Sequence, residues 1–276
     1  MLDVAEQIGR GISSILATQG KNLARYLTGA PLADRAEQQL IDDLERARGN
    51  VAGFNRVLMF KRLSSSGPAF LLTLRRHLLR DRVYLHAVES GLPIPIGQVD
   101  QTVWDPAAGS KNDGLFDGSD FGLSPEVAYQ QLGAKPPKKL RWLGPQHVDE
   151  GLPEDLRHDI GSIEEMLGRF ADWDQAADGK IKMLADLVLN RHSTEKVLVF
   201  TEYRDTADYI VSALRERGAR DLAVVSGQDG DATHLARRFS PGAHPIGLPP
   251  GKREIRVLIS TDVLSEGQNL KMPGWW

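Results

Sequence analysis

The stretch Lys196-Val-Leu-Val-Phe-Thr-Glu-Tyr-Arg-Asp-Thr-Ala-Asp-Tyr-Ile-Val-Ser-Ala-Leu-Arg-Glu-Arg-Gly218 decides the fold. Lys196–Phe200 is a short apolar run of the kind that forms a buried strand. Thr201–Asp205 is a polar break. Ala207, Ile210, Val211 and Leu214 then recur at i, i+3, i+4 and i+7, the spacing of one helical face, and Gly218 stops the helix. The same unit returns downstream. Leu222–Val225 reads as a second strand, Asp231–Phe239 as a second helix and, after a Pro/Gly loop over 240–251, Ile255–Ile259 as a third strand. Upstream, Glu154–Phe170 reads as one helix and Lys180–Asn190 as another, with Ile181, Leu184, Ala185 and Val188 on one side. Continuous apolar strands alternating with amphipathic helices predict a parallel sheet covered on both faces, wound by right-handed crossovers. Phe200 and Phe239 are assigned to its core.

The N-terminal part differs. Residues 1–50 read as helices interrupted over 27–31, with Pro31 the stop, and Ala36–Arg48 is rich in helix formers. Residues 51–90 are helical with a basic bias: from Lys61 to Arg82, the bases Lys61, Arg62, Arg75, Arg76, Arg80 and Arg82 stand against the single acid Asp81. Ser65 or Ser66 is predicted to cap a helix with Pro68 in its first turn. Leu71, Leu74 and Leu78 form an apolar stripe, and Arg76 and Arg80 lie on another face. The basic run is either a solvated helical face or a nucleic-acid patch of Lys61, Arg62, Arg76 and Arg80. From 91 to 150 Gly, Pro, Asp, Asn and Ser dominate and periodicity fades. The expected fold is therefore α/β: an incomplete doubly wound parallel sheet over 153–276, preceded by a helical region over 1–95 and an irregular insert over 96–152.

Bulk properties exclude several classes. The chain has 276 residues, 41% hydrophobic and 26% charged, as in a soluble globular protein. Its net charge is −3, so any nucleic-acid contact must come from a local patch. The absence of Cys excludes disulfides and thiolate metal sites and fits a reducing compartment. His77 and His86 lack metal-ligand spacing. No apolar run approaches the roughly 20 residues that span a bilayer, and the N-terminus lacks signal-peptide character. A cytoplasmic location with no membrane partner is the expectation.

Ligands of open α/β sheets bind beyond the carboxyl ends of the strands. Three such ends are visible: Thr201-Glu-Tyr-Arg-Asp205, Ser226-Gly-Gln-Asp-Gly230 and Ser260-Thr-Asp262. Hydroxyls and backbone N–H groups there can hold an anion. The same residue types also serve merely to cap helices.

Together these turns resemble superfamily-two helicases. Lys196–Tyr203 with Asp205, Thr206 and Tyr209 resembles motif IV. Ser226-Gly227 followed by Arg237-Arg238-Phe239 looks like the segment between motifs IV and V, and Ser260–Leu270 resembles motif V. Asp178-Gly-Lys180 looks like the Asp-x-Lys entry to the second RecA-like lobe of bacterial Swi/Snf-type proteins. Lys61-Arg-Leu-Ser-Ser-Ser66 with Ala69-Phe70 resembles a linker region of helicase-related proteins. The likeness is specific over 178–270, weaker over 56–95 and absent over most of 96–150.

The resemblance implies a parent that is an ATP-dependent translocase on DNA or, as the lesser alternative, RNA, with ATP and magnesium as its cofactors. It implies strand-phosphate contacts by Thr201, Ser226, Gly227, Ser260 and Thr261, and ATP-ribose contacts by Gly267 and Asn269. Asp262 and Glu266 would organise the turn. The sequence contains no Gly-x-x-x-x-Gly-Lys-[Ser/Thr] loop and no magnesium-binding acidic box. An arginine-finger motif would follow motif V, and Lys271-Met-Pro-Gly-Trp-Trp276 departs from the family pattern. The expectation is a fragment that stops after motif V, has no catalytic residues or bound cofactor of its own, and is completed by a first lobe encoded separately. The alternative is a non-catalytic regulatory protein that uses the same surface to bind nucleic acid or a partner.

Overall fold

The computed structural model describes residues 23–32, 34–47, 51–97, 123–170, 173–226, 232–243 and 247–261, with 47 and 51–56 described by backbone alone. The chain divides into two units, Met1–Ser64 with Phe70–Asp172, and Ser65–Ala69 with Trp173–Trp276.

The first unit is mostly helical. Helix α1 (Arg35–Ala47) starts at Asp34, whose carboxylate accepts the amides of Ala36 and Glu37 at 2.8 and 2.9 Å. Helices α2 (Val51–Ser65) and α3 (Gly67–Glu89) are separated at Ser66. The Ser66 hydroxyl accepts the Ala69 amide at 3.3 Å, with Pro68 in the first turn. This is the cap that the sequence predicts. The stripe of Leu71 and Leu74, with Leu78 beside it, packs on Met59, Ile163 and Met166. Helix α3 ends where Leu92 N–H reaches the Ala87 carbonyl (2.8 Å) and Gly91 N–H the Val88 carbonyl (3.1 Å), with Gly91 at φ 64°. A left-handed residue is needed there, and glycine takes it without a steric penalty.

The stretch 96–152 is not irregular throughout. Strand β1 (Ile94–Ile96) pairs antiparallel with β2 (Arg141–Leu143), in the register Ile94↔Leu143 and Ile96↔Arg141. Helix α4 (Pro125–Ala134) is capped by Ser124, whose hydroxyl accepts the Val127 amide. Ile94, Ile96 and Leu143 are buried with Leu40, Ala87, Leu152 and Leu156. Helix α5 (Gly151–Phe170) thus gives Leu152 and Leu156 to this cluster and Ile163 and Met166 to the other. Both clusters hold the helix in the first unit. The sheet-bearing unit therefore takes up the chain at Trp173, not at the expected residue 153.

Charge is also buried in the first unit: Arg62, Arg76, Asp81 and Asp159 are each largely withdrawn from solvent. Burial, with the Arg80 and Arg62 cations nearby, holds the His77 imidazole well below its usual range. A base depressed in the folded state stabilises it above the unfolded pKa, about 6.5, and that contribution is lost as the pH falls below it. The urea midpoint of the chain should therefore drop on acidification below that value. His77→Gln should flatten the drop; an unchanged profile would rule out this origin.

The second unit carries the predicted sheet. Strands β3 (Val197–Phe200), β4 (Leu222–Val225) and β5 (Val257–Ser260) are parallel, in the order β3-β5-β4. Helix α6 (Gly179–Asp186) precedes them, α7 (Arg204–Glu216) joins β3 to β4, and α8 (Ala232–Phe239) lies between β4 and β5. The predicted face of α7, Ala207, Ile210, Val211 and Leu214, is buried. Its end is a left-handed Gly218 (φ 89°), with Ala219 N–H on the Leu214 carbonyl at 2.9 Å. Phe239, Val225, Ile255 and Leu258 form the core. Phe200 does not join it: it is 56% exposed. It is the last residue of an edge strand, while the central β5 is buried along its whole length. Trp173 lies over Gly67, where a Cβ would meet the indole ring. The α/β class, with a mainly helical part ahead of a parallel sheet, is the expected one.

Candidate nucleic-acid interface

The parallel register sets Phe200, Ser260 and Val225 side by side. The next residues, Thr201, Thr261 and Ser226, therefore emerge at one carboxyl edge. Thr201 N–H donates to the Ser260 carbonyl (2.9 Å) and Thr261 N–H to the Val225 carbonyl (3.0 Å), extending the ladder past the strand ends. Residues far apart in sequence are thus brought into one row. Gly227, Asp262, Glu266, Gly267 and Asn269 lie outside the described residues.

The members of the row differ in access. Thr201 is half-buried, whereas Ser226 and Thr261 keep only 3% and 5% of their surface exposed. Ser260 is completely buried, and its hydroxyl donates to the Thr261 carbonyl at 2.6 Å. That hydroxyl is committed to the backbone of the turn.

Sequence reasoning passed over Arg204, the first residue of α7. Its Nε donates to both carboxylate oxygens of Asp208, at 3.0 and 2.9 Å, and its Nη1 donates to Ser226 Oγ at 2.7 Å. The signal available was the i, i+4 spacing of opposite charges, which on a helix brings two side chains together.

Asp178 has a structural place. One carboxylate oxygen accepts the amides of Lys180 and Ile181, at 3.0 and 3.2 Å, and so caps α6. The other accepts the Tyr209 hydroxyl at 3.0 Å. Tyr209 is almost fully buried. Burial first, and then its bond to Asp178, push its hydroxyl pKa well above the ordinary tyrosine value, against an opposing hydrogen bond with Trp173.

The four basic candidates of the helical region are unlike one another. Lys61 is exposed, Arg62 and Arg76 are buried, and Arg80 gives Nε and Nη2 to Asp81 at 3.1 and 3.0 Å. Among the described residues no group of His, Asp or Glu is placed to hold a metal ion. The described acidic side chains therefore form no cluster for magnesium. No helix among the described residues is long and apolar enough to cross a membrane.

Residues 179–272 match the helicase conserved C-terminal domain. A putative ATP-dependent RNA helicase of Methanocaldococcus jannaschii is 28% identical over 89 residues, which cover 32% of this chain and 11% of that protein. A pre-mRNA-processing ATP-dependent RNA helicase of Lodderomyces elongisporus is 33% identical over 115 residues, 40% of this chain and 11% of that protein. The chain thus spans about a tenth of the length of these curated relatives. No solved structure matches. The chain carries a helicase C-terminal domain in its second unit.

Proposed function

We propose that the second unit is the second lobe of an ATP-dependent, superfamily-two nucleic-acid translocase or helicase, and that the carboxyl edge of its sheet follows one strand. The row of Thr201, Thr261 and Ser226, fixed by the in-register ends of β3, β5 and β4, carries this reading. Contacts of such groups to phosphates position a strand without reading its sequence, which suits movement along it. Gly267 and Asn269 are proposed at the ATP ribose: glycine lets the backbone approach the sugar, and the short amide can bond a hydroxyl. ATP hydrolysis then needs a first lobe, from the same longer chain or from a partner. The Swi/Snf-type likeness favours DNA as the track; the names of the two relatives favour RNA.

Fluorescent oligo(dT) and oligo(U), titrated with the 276-residue chain at rising salt, test this. Binding should fall linearly on a log–log scale. Thr261→Ala should weaken it about tenfold, the loss of one charge-assisted hydrogen bond. The preferred oligomer decides between DNA and RNA, and failure to bind either removes the reading. ATP turnover by these 276 residues alone should stay at background. Turnover stimulated by nucleic acid would overturn the assignment of the catalytic parts to another lobe.

A further inference from the structure

We infer that Arg204 is the phosphodiester-binding cation of the carboxyl edge, held in place by Asp208 and Ser226. The inference rests on the strand-following role proposed above. A chain of net charge −3 needs a local cation to draw a polyanion to this edge. The hydroxyls of the row do not supply it: they are neutral, and Ser226, Ser260 and Thr261 are buried. Arg204 follows β3, and its guanidinium reaches the end of β4 at Ser226 Oγ, 2.7 Å away. It lies within the row of strand ends, yet its side chain keeps 35% of its surface exposed. A guanidinium keeps its charge at any working pH and carries five N–H donors, so it can be anchored at Nε and Nη1 and still attract a phosphate.

The partners of Arg204 acquire roles from this. Asp208 takes Nε on both carboxylate oxygens and fixes the plane of the guanidinium. Ser226 accepts from Nη1, so its hydroxyl positions Arg204 as well as standing in the row. Asp208 also offsets part of the arginine charge, so the pair sets how strongly the edge attracts phosphate.

Neutralising each of the two residues in turn gives the test, with the full chain and the same oligomers over a range of salt. Arg204→Gln should weaken binding about tenfold and lower the log–log salt slope by about 0.7, the single-strand value for one phosphate contact. Arg204→Lys should restore the slope but not the full affinity. Asp208→Asn should tighten binding, whereas a pair that served only to hold α7 would give weaker binding in both variants. Thr261→Ala should weaken binding at unchanged slope, because it removes no charge. Arg204→Gln at the original slope, beside a weakened Thr261→Ala, overturns this inference alone. Absence of binding by the unaltered chain removes the strand-following reading and this one with it. Amide exchange of α7 in each variant shows that the helix is intact.

Discussion

Phe239→Ala is expected to lower the stability of the sheet-bearing unit by about 3–5 kcal/mol. Phe239 ends α8 with none of its surface exposed, against Val225, Ile255 and Leu258. Its surroundings cannot easily collapse onto a smaller side chain. Ile255 N–H is bonded to the Arg238 carbonyl at 2.9 Å, which ties the helix end to the approach of β5. Lys196 Nζ sits 5.8 Å from the ring centroid and is itself anchored on Glu254 and the Ile255 carbonyl. Truncation therefore leaves a cavity and removes a cation–π contact. Phe200→Ala, at a 56% exposed position, should change stability by only about 0.5 kcal/mol. Amide exchange of peptides covering β4 and β5 distinguishes the two. Equal loss of protection in both variants would contradict this account.

The two phenylalanines also mark what local sequence can say. Phe200 closes an apolar strand and Phe239 a short helix, and neither stretch by itself says which ring is covered. The exposure of Phe200 follows from the strand order β3-β5-β4, which leaves β3 at an edge, and the burial of Phe239 from the packing of α8 on β4 and β5. That order depends on crossovers, not on any residue of β3. Signals contained within a turn or two were legible: the Ser66 cap with Pro68, the buried face of α7 and the stop at Gly218. The β1–β2 pair was not. It is made of three-residue strands, one containing Pro95, whose partners lie far apart in the chain. Its stability comes from burying Ile94, Ile96 and Leu143 in a shared cluster, which no periodicity announces. Helix α4 did carry a local signature in Ser124-Pro125-Glu126, but the surrounding Gly and Pro obscured it.

The candidate site divides in the same way. Thr201, Ser226 and Thr261 could be placed because a strand's carboxyl end is a local property and the parallel register then aligns the ends. Arg204 could not, because its bond to Ser226 joins residues 22 apart across a whole helix. The basic run of the helical unit shows the converse. An arginine facing water and one turned inward have the same local sequence, so the burial of Arg62 and Arg76 appears only once the helices pack.

Asp178→Ala should cost about 2–4 kcal/mol, a large effect for a residue outside any apolar cluster. Two separate losses combine. The amides of Lys180 and Ile181 lose their cap, worth about 1 kcal/mol. The buried Tyr209 hydroxyl also loses the carboxylate that accepts it, a penalty of about 1–3 kcal/mol. Asp178→Asn should cost less, because asparagine remains a good N-cap and its amide oxygen can still accept. Tyr209→Phe should cost only about 1 kcal/mol, since it removes the hydroxyl together with its need for a partner. The decisive measurement is the double variant in a urea series. If the hydroxyl depends on Asp178, Asp178→Ala with Tyr209→Phe should be less destabilising than the sum of the single changes, by about 1 kcal/mol or more. Strict additivity would mean that Asp178 serves α6 alone, and that the bond to Tyr209 contributes nothing to holding α6 and α7 together.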